Sequence, residues 1–398
     1  MDQVWQIIYR DYLDYSGTFE KHDWIDVRKK ILSKEYENPL DAYDSIRGML
    51  SSLNDPYTRF LDPKEFKEMR IDTSGELMGV GIQISLDKDT NQIIVIAPIQ
   101  GTPAHKAGLK PMDIIVSIDE NPTKGMSIEN AVKLIRGRRG TEVKLGLVRN
   151  NNPVQVVLIR ERIQIKAVES KLNRTNEGIK IGYIRLKQFN ANSVKEMRSS
   201  MLNLEKDNVK GYILDLRGNP GGLLEASIEI ARQWLNEGII VSTQTRDQLK
   251  DIRRARGKAL TKKPLIVLIN QGSASASEIL AGSIQDNNRG LLVGEKTFGK
   301  GLVQSVRALT DGSGLMVTIA RYLTPKGRDI NKYGIYPDIR VKSNASDVAD
   351  FTVADLATVK DNQYIVAENE LVRIIKNRSS EYTYNPNIIN ISIALATR

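Results

Sequence analysis

Three short apolar runs, each breaking off into glycines and small polar residues, constrain the fold of this chain more than any other feature. Tyr212-Ile213-Leu214-Asp215-Leu216 stops at Arg217-Gly218-Asn219-Pro220-Gly221-Gly222. Leu265 to Ile269 stops at Asn270-Gln271-Gly272-Ser273-Ala274-Ser275-Ala276-Ser277-Glu278, and Leu291-Leu292-Val293 stops at Gly294-Glu295-Lys296-Thr297-Phe298-Gly299-Lys300-Gly301. Apolar runs of this length, bounded by turn residues, read as buried strands. Further strands are expected at 180–186 and 315–320, and helices at 193–205, 223–235 and 275–285, so residues 164–342 predict an α/β core.

The remainder has a different texture. Val4, Ile7, Ile8 and Tyr12 recur on one helical face, and Ile46, Met49, Leu50 and Leu53 on another, so residues 1–72 read as a small helical domain. It ends in two turn signals, Asn54-Asp55-Pro56-Tyr57 and Leu61-Asp62-Pro63-Lys64. Residues 73–163 carry short β-rich runs with two brief helical stretches between them. Residues 343–398 add a helical extension, packed on the core, that runs into an Asn- and Ser-rich end. The expectation is an α/β multidomain chain: an N-terminal helical domain, a β-rich domain, an α/β core and the extension.

Composition removes several chemistries. The 398 residues include no cysteine and only two histidines, His22 and His105. Thiolate nucleophiles, disulfides and His-rich metal sites are therefore excluded, and neither a metal nor another cofactor is expected. The net charge of +10 is too dilute over this length to specify nucleic acid. Its densest piece, from Lys250 to Lys263, reads as a solvated basic loop or as a peripheral membrane contact. No run approaches the about 18 apolar residues of a membrane span, and residues 1–30 show no signal-peptide pattern. The chain as given reads as cytosolic or as already trimmed of a targeting segment.

The three loops are where chemistry is expected. Glycines in 217–222 allow successive N–H groups to face an anion, although a tight strand-to-helix turn needs the same residues. The serine-rich loop places a hydroxyl at a helix N-terminus, but Ser275-x-x-Glu278 is also a capping box. Spacing does not choose among Ser273, Ser275 and Ser277. The third loop nearly matches a P-loop, yet Gly301 stands where a magnesium-binding Ser or Thr belongs, which weakens a nucleotide-hydrolase reading. A lysine between glycines can instead serve as a general base when burial lowers its pKa, and a serine–lysine pair needs neither histidine nor metal. Gln304, four residues after Lys300, is placed to hold the amine by a hydrogen bond.

The β-rich segment resembles a PDZ domain, on Met78-Gly79-Val80-Gly81-Ile82, Gly101-Thr102-Pro103-Ala104-His105-Lys106-Ala107-Gly108-Leu109 and Asp113-Ile114-Ile115-Val116-Ser117-Ile118-Asp119. That resemblance implies that Gly79, Val80, Gly81 and Ile82 receive a peptide's terminal carboxylate and that His105 is a surface helix residue. The whole succession, with Asp55-Pro56-Tyr57-Thr58 before it and Tyr322-Leu323-Thr324-Pro325 after it, is similar to the C-terminal processing peptidases, most of all their cyanobacterial and plastid branch.

The resemblance implies a serine endopeptidase with Ser275 as nucleophile, Lys300 as base and Gln304 orienting the lysine. Its oxyanion donors would be the N–H groups of Gly221, or its neighbour Gly222, and Ala276. It also implies protein or peptide substrates with a free apolar C-terminus and an extracytoplasmic location, the thylakoid lumen or periplasm. Some members of that branch process the photosystem II reaction-centre precursor. A PDZ adaptor with an inactive core is the alternative from another class.

Overall fold

The structure, a computed structural model, describes the chain except residues 15–16, 18–22, 75, 88–89, 165, 249, 345–351 and 382–398. His22 and the Asn-rich end thus lie outside the described residues. The chain divides into two compact units, Met1–Met69 with Lys166–Arg398, and Arg70–Ile165.

The first unit opens with α1 (Asp2–Asp11), α2 (Trp24–Leu32), α3 (Pro39–Ser51) and β1 (Arg59–Leu61), and α4 (Pro63–Ser74) crosses the boundary between the units. Asp23 and Asn38 cap α2 and α3, each side chain accepting two main-chain N–H groups. The two apolar faces read from the sequence are buried, but in a core that also holds Leu315 and Val317 from much later in the chain. The N-terminal helices are therefore not a separate domain. A face whose partner is a distant strand leaves no trace in local periodicity.

The second unit contains β2 (Glu76–Gly79), β3 (Ile82–Leu86), β4 (Ile93–Pro98), α5 (Pro103–Lys106), β5 (Ile114–Ile118), β6 (Asn121–Pro122), α6 (Ile128–Ile135), β7 (Glu142–Arg149), β8 (Asn152–Ile159) and β9 (Glu161–Gln164). Its main sheet runs β3-β4-β5-β7-β8, with β3 at an edge. Alternation in β7 buries Val143, Leu145 and Leu147 against Ala131 and Ile135 of α6.

The first unit resumes with β10 (Val168–Arg174), β11 (Lys180–Leu186), α7 (Ser193–Lys206), β12 (Gly211–Asp215), α8 (Leu224–Trp234), β13 (Ile239–Thr245), β14 (Lys250–Arg254), β15 (Leu265–Ile269), α9 (Ala276–Asp286), β16 (Leu291–Gly294), β17 (Leu302–Ala308), β18 (Gly314–Leu323), β19 (Ile339–Arg340) and α10 (Asn362–Glu381). One sheet has the order β10-β11-β12-β15-β16-β19, parallel from β11 onward. Its two faces are both covered. Tyr212, Leu214, Leu265, Val267 and Ile269 pack with Met201 of α7, Trp234 of α8 and Leu280 of α9. Ile213, Ile266 and Leu268 point the other way, onto Tyr364, Ala367 and Leu371 of α10. Burial on both faces explains why these strands are continuously apolar. Each fully buried Leu or Ile side chain contributes roughly 1.5–3 kcal/mol to this packing.

A second sheet joins β1, β18, β13 and β14, with β17 on β18. The basic stretch expected as a loop begins as β14, paired to β13. Part of its charge is spent internally: Arg253 pairs with Glu225 and Asp251, and Lys263 with Glu205. Among the described residues no helix is long and apolar enough to cross a membrane.

Candidate active site

All three loops emerge from the carboxyl ends of neighbouring parallel strands, β12, β15 and β16, where open α/β sheets place their ligands. The parallel register aligns Asp215 with Leu268, and Ile269 with Gly294, so the loops start side by side.

Geometry separates the three serines. Ser273 Oγ donates to Leu216 O at 2.8 Å and Ser277 Oγ to Asn219 O at 2.9 Å, and both residues are fully buried. These hydroxyls tie loops together. Ser275 differs: it is half-buried at the start of α9, with φ 55° and ψ −113°, a conformation unusual for a residue with a side chain. Holding it there costs on the order of 1–3 kcal/mol, which the surroundings must offset. Gly221 makes the close approach possible. At φ 101°, a Cβ on it would lie 2.7 Å from Ala274 O and 2.9 Å from Ala276 N.

Glu278 does more than cap a helix. Its carboxylate accepts the Ser275 N–H at 2.9 Å, the Thr297 hydroxyl at 2.5 Å, the Gly299 N–H at 2.7 Å and the Lys300 N–H at 2.8 Å. Ile335 N–H donates to Thr297 Oγ1 at 2.7 Å, so the threonine proton is directed at Glu278. Every partner is a donor, which leaves the fully buried carboxyl no acceptor for a proton of its own. Burial pushes its pKa up from the ordinary value, and the hydrogen bonds from Thr297, Lys300, Gly299 and Ser275 oppose that shift. One carboxylate thereby joins the serine turn to the lysine loop. Sequence reading saw only the capping box.

Lys300 is half-buried, with Nζ 4.7 Å from the centre of the Tyr57 ring. Burial lowers its pKa from the ordinary lysine value, Arg59 adds to the lowering, and Asp55 opposes it. The Tyr322 hydroxyl donates to Lys300 O, and the Ser275 side chain interacts with the same phenol, whose pKa burial pushes well up. Gln304 is not brought to the lysine: its Nε2 reaches Leu302 O at 3.4 Å, and among the described residues no hydrogen bond joins it to Lys300.

Among the expected anion donors, Gly221 already has a partner. Its N–H is donated to Asn219 Oδ1 at 2.9 Å. The neighbouring N–H groups without an intramolecular acceptor among the described residues are those of Gly222, which is exposed, and Ala276 at the first turn of α9. Asn219 is the knot of this region. Its Nδ2 donates to Leu186 O at 2.8 Å, and its carbonyl accepts Ala274 N–H as well as the Ser277 hydroxyl. Behind it, buried Arg217 is held between Asp215 at 2.6 Å and Asp361 at 2.7 Å, tying the glycine loop to the start of α10.

The P-loop alternative fails on two counts. The third loop leads into strand β17 rather than a helix, and the N–H groups of Gly299 and Lys300 already face a carboxylate. Among the described residues no cluster of three His, Asp or Glu side chains is placed to hold a metal.

In the second unit, the carbonyls of Val80 and Gly81 turn inward to Ala104 N–H and Ile99 N–H. Their own N–H groups have no intramolecular acceptor among the described residues. Beside them lies an apolar cavity of about 100 Å³ lined by Ile82, Ile84, Val132 and Ile135, with Gly79 and Arg136 at its wall. His105 is exposed on α5, as expected.

Sequence comparison places residues 68–148 in the PDZ domain family and residues 180–341 in peptidase family S41. A carboxyl-terminal-processing protease of the cyanobacterium Synechocystis is 44% identical over 352 residues, 88% of this chain and 82% of that protein. The chain belongs to this protease family. Carboxyl-terminal-processing peptidase 2, chloroplastic, of Arabidopsis thaliana is 40% identical over 84% of this chain and 67% of its own length. The solved photosystem II D1 C-terminal processing protease matches with 37% identity and a TM-score of 0.57, covering 85% of this chain and 92% of that one. As a carboxyl-terminal-processing protease of family S41, the chain is a peptidase acting on protein or peptide substrates.

Proposed function

We propose that the chain is a serine endopeptidase that cleaves proteins near their C-terminus with Ser275 as nucleophile and Lys300 as general base. The observation that supports this most is Glu278, whose single carboxylate holds the N–H of Ser275 and the N–H of Lys300. Neutral Lys300 takes the Ser275 proton as Oγ bonds to the scissile carbonyl carbon, and the oxyanion that forms is met by the N–H groups of Gly222 and Ala276. Collapse breaks the C–N bond, the lysine proton leaves with the amine, and water activated by the same lysine releases the acyl group. Gln304 orients the lysine once substrate is bound.

The PDZ unit selects the substrate by its free C-terminus: the terminal carboxylate meets the N–H groups of the Gly79-Val80-Gly81-Ile82 loop, and an apolar last side chain fills the cavity. The edge position of β3 leaves room for the peptide as an added strand. The chloroplastic relative and the D1-processing neighbour support a reading in which the chain works on exported proteins in the thylakoid lumen or periplasm, with the photosystem II reaction-centre precursor as one such substrate. Exposed Arg254, Arg256 and Lys258 are the residues through which the basic stretch would touch an anionic membrane. The test of the nucleophile is active-site labelling with a fluorophosphonate, followed by peptide mass spectrometry. Modification is expected on Ser275 and to disappear in Ser275→Ala; modification of Ser273 or Ser277 instead would overturn the assignment.

A further inference from the structure

The turn Asp55-Pro56-Tyr57-Thr58 belongs to the N-terminal segment and has no part in the proposed chemistry, yet side-chain hydrogen bonds fasten it to a distant strand. Asp55 is buried, and its carboxylate accepts Tyr57 N–H at 2.9 Å, the Thr58 hydroxyl at 2.6 Å and the Thr318 hydroxyl at 2.7 Å. Thr58 Oγ1 in turn accepts Thr318 N–H at 3.0 Å. These bonds lock the turn to β18, the strand that also carries Tyr322. Their result is the position of one side chain, the Tyr57 ring against Lys300 Nζ.

Among the described residues no hydrogen bond or ion pair holds that amine. The charged and titratable groups around it are Asp55, Tyr57 and Arg59 from the turn and β1, Glu278 from α9 and Tyr322 from β18. Glu278 engages the Lys300 main chain and not its amine. A carboxylate hydrogen-bonded to Nζ would fix the lysine as ammonium and spoil it as a base. An aromatic face holds the group more lightly. It attracts an ammonium far more weakly than a hydrogen-bonded carboxylate does, and it keeps water away, which favours the neutral amine.

We propose that Tyr57 is a positioning residue for Lys300: its ring holds Nζ within the catalytic loops and shields it from water, so that the amine is available to take a proton. The N-terminal segment thus supplies part of the active site. This inference rests on Lys300 being the base, and the test keeps the two apart.

The pH dependence of Lys300 acetylation by trace acetic anhydride, read by mass spectrometry of the Lys300 peptide in the full-length protein, reports its ionisation without reference to catalysis. Tyr57→Phe keeps the ring, so its midpoint is expected to stay at the parent's and its kcat within about twofold of it. Tyr57→Ala admits water, so the midpoint moves up toward the ordinary value of 10.5, and kcat at neutral pH falls about tenfold per unit moved, with KM little changed. Tyr57→Leu keeps water out but removes the π face: kcat falls at least about fivefold while the midpoint stays at or below the parent's.

A folded Tyr57→Ala with the parent's midpoint, or a Tyr57→Phe as impaired as Tyr57→Ala, overturns the proposal. If Tyr57→Ala fails to fold, an unchanged kcat in Tyr57→Leu does so. Cleavage by Lys300→Ala at the parent's rate would instead remove the lysine as base, while the acetylation midpoints still judge the placement by Tyr57.

Discussion

Two glycine-rich segments in this chain carry main-chain N–H groups with no intramolecular acceptor among the described residues, and they are built to different standards. In the PDZ unit, Val80 and Gly81 turn their carbonyls inward beside an apolar cavity, at the start of an edge strand. In the peptidase unit, the loop ending at Gly222 is pinned at nearly every residue. Gly218 N–H is held by Asn270, Gly221 N–H by Asn219, Leu223 N–H by Phe189 O, and Arg217 by two buried aspartates. A carboxylate that exists before binding can be met by a loop that adjusts. A charge that exists only in the transition state is stabilised only by donors already in place.

The largest expected effect breaks the pinned side. Glu278→Gln sets an amide N–H against groups that are themselves donors, so turnover is expected to fall at least 10²-fold. A stability loss of about 1–3 kcal/mol by denaturant unfolding should accompany it. Peptide binding to the PDZ unit should not change. Asn219→Ala comes next: freed Gly221 blurs the donor position, and kcat is expected to fall about 10- to 100-fold in steady-state kinetics with KM within about threefold. If KM rises and kcat holds, the loop serves ground-state binding, and the contrast between the two loops collapses.

On the adjustable side, Val132→Glu places a charge in the cavity wall. By fluorescence anisotropy, the affinity for a peptide ending in an apolar residue should drop about tenfold or more. Amidating the peptide C-terminus should have a comparable effect, while kcat on a short saturating substrate stays put.

The smallest effect concerns pH. Burial raises the Asp361 carboxyl pKa, but the Arg217 hydrogen bonds and charge outweigh it and bring the net below the ordinary value. A depressed carboxylate adds stability above its unfolded pKa and loses it as pH falls through the folded one. The melting temperature should therefore hold from neutral pH to about 5 and fall below about 4, with a shallower fall in Asp361→Asn.

The sequence was most readable where local pattern and burial agree. The strands at 180–186 and 265–269 match the structure residue for residue, because both faces of that sheet are covered and each strand is buried along nearly its whole length. The serine, lysine and glycine loops were legible as chemistry, since small residues at strand ends leave the backbone open. Pairings across distance were not. Nothing local joins Tyr57 to Lys300, Asp361 to Arg217, or the N-terminal helices to β18. Glu278 was hidden behind an ordinary capping motif, and the Asn219 side chain's hold on the Gly221 N–H is invisible in sequence. The signal that pointed toward Tyr57 was a four-residue motif whose role the residues alone did not disclose.

The central claim, hydrolysis by Ser275 and Lys300, is tested most directly by incubating an unstructured polypeptide with an apolar C-terminus with the parent, Ser275→Ala and Lys300→Ala, and following products by mass spectrometry. The account expects C-terminal fragments from the parent and none from either variant. Fragments at the parent's rate from Ser275→Ala would contradict it.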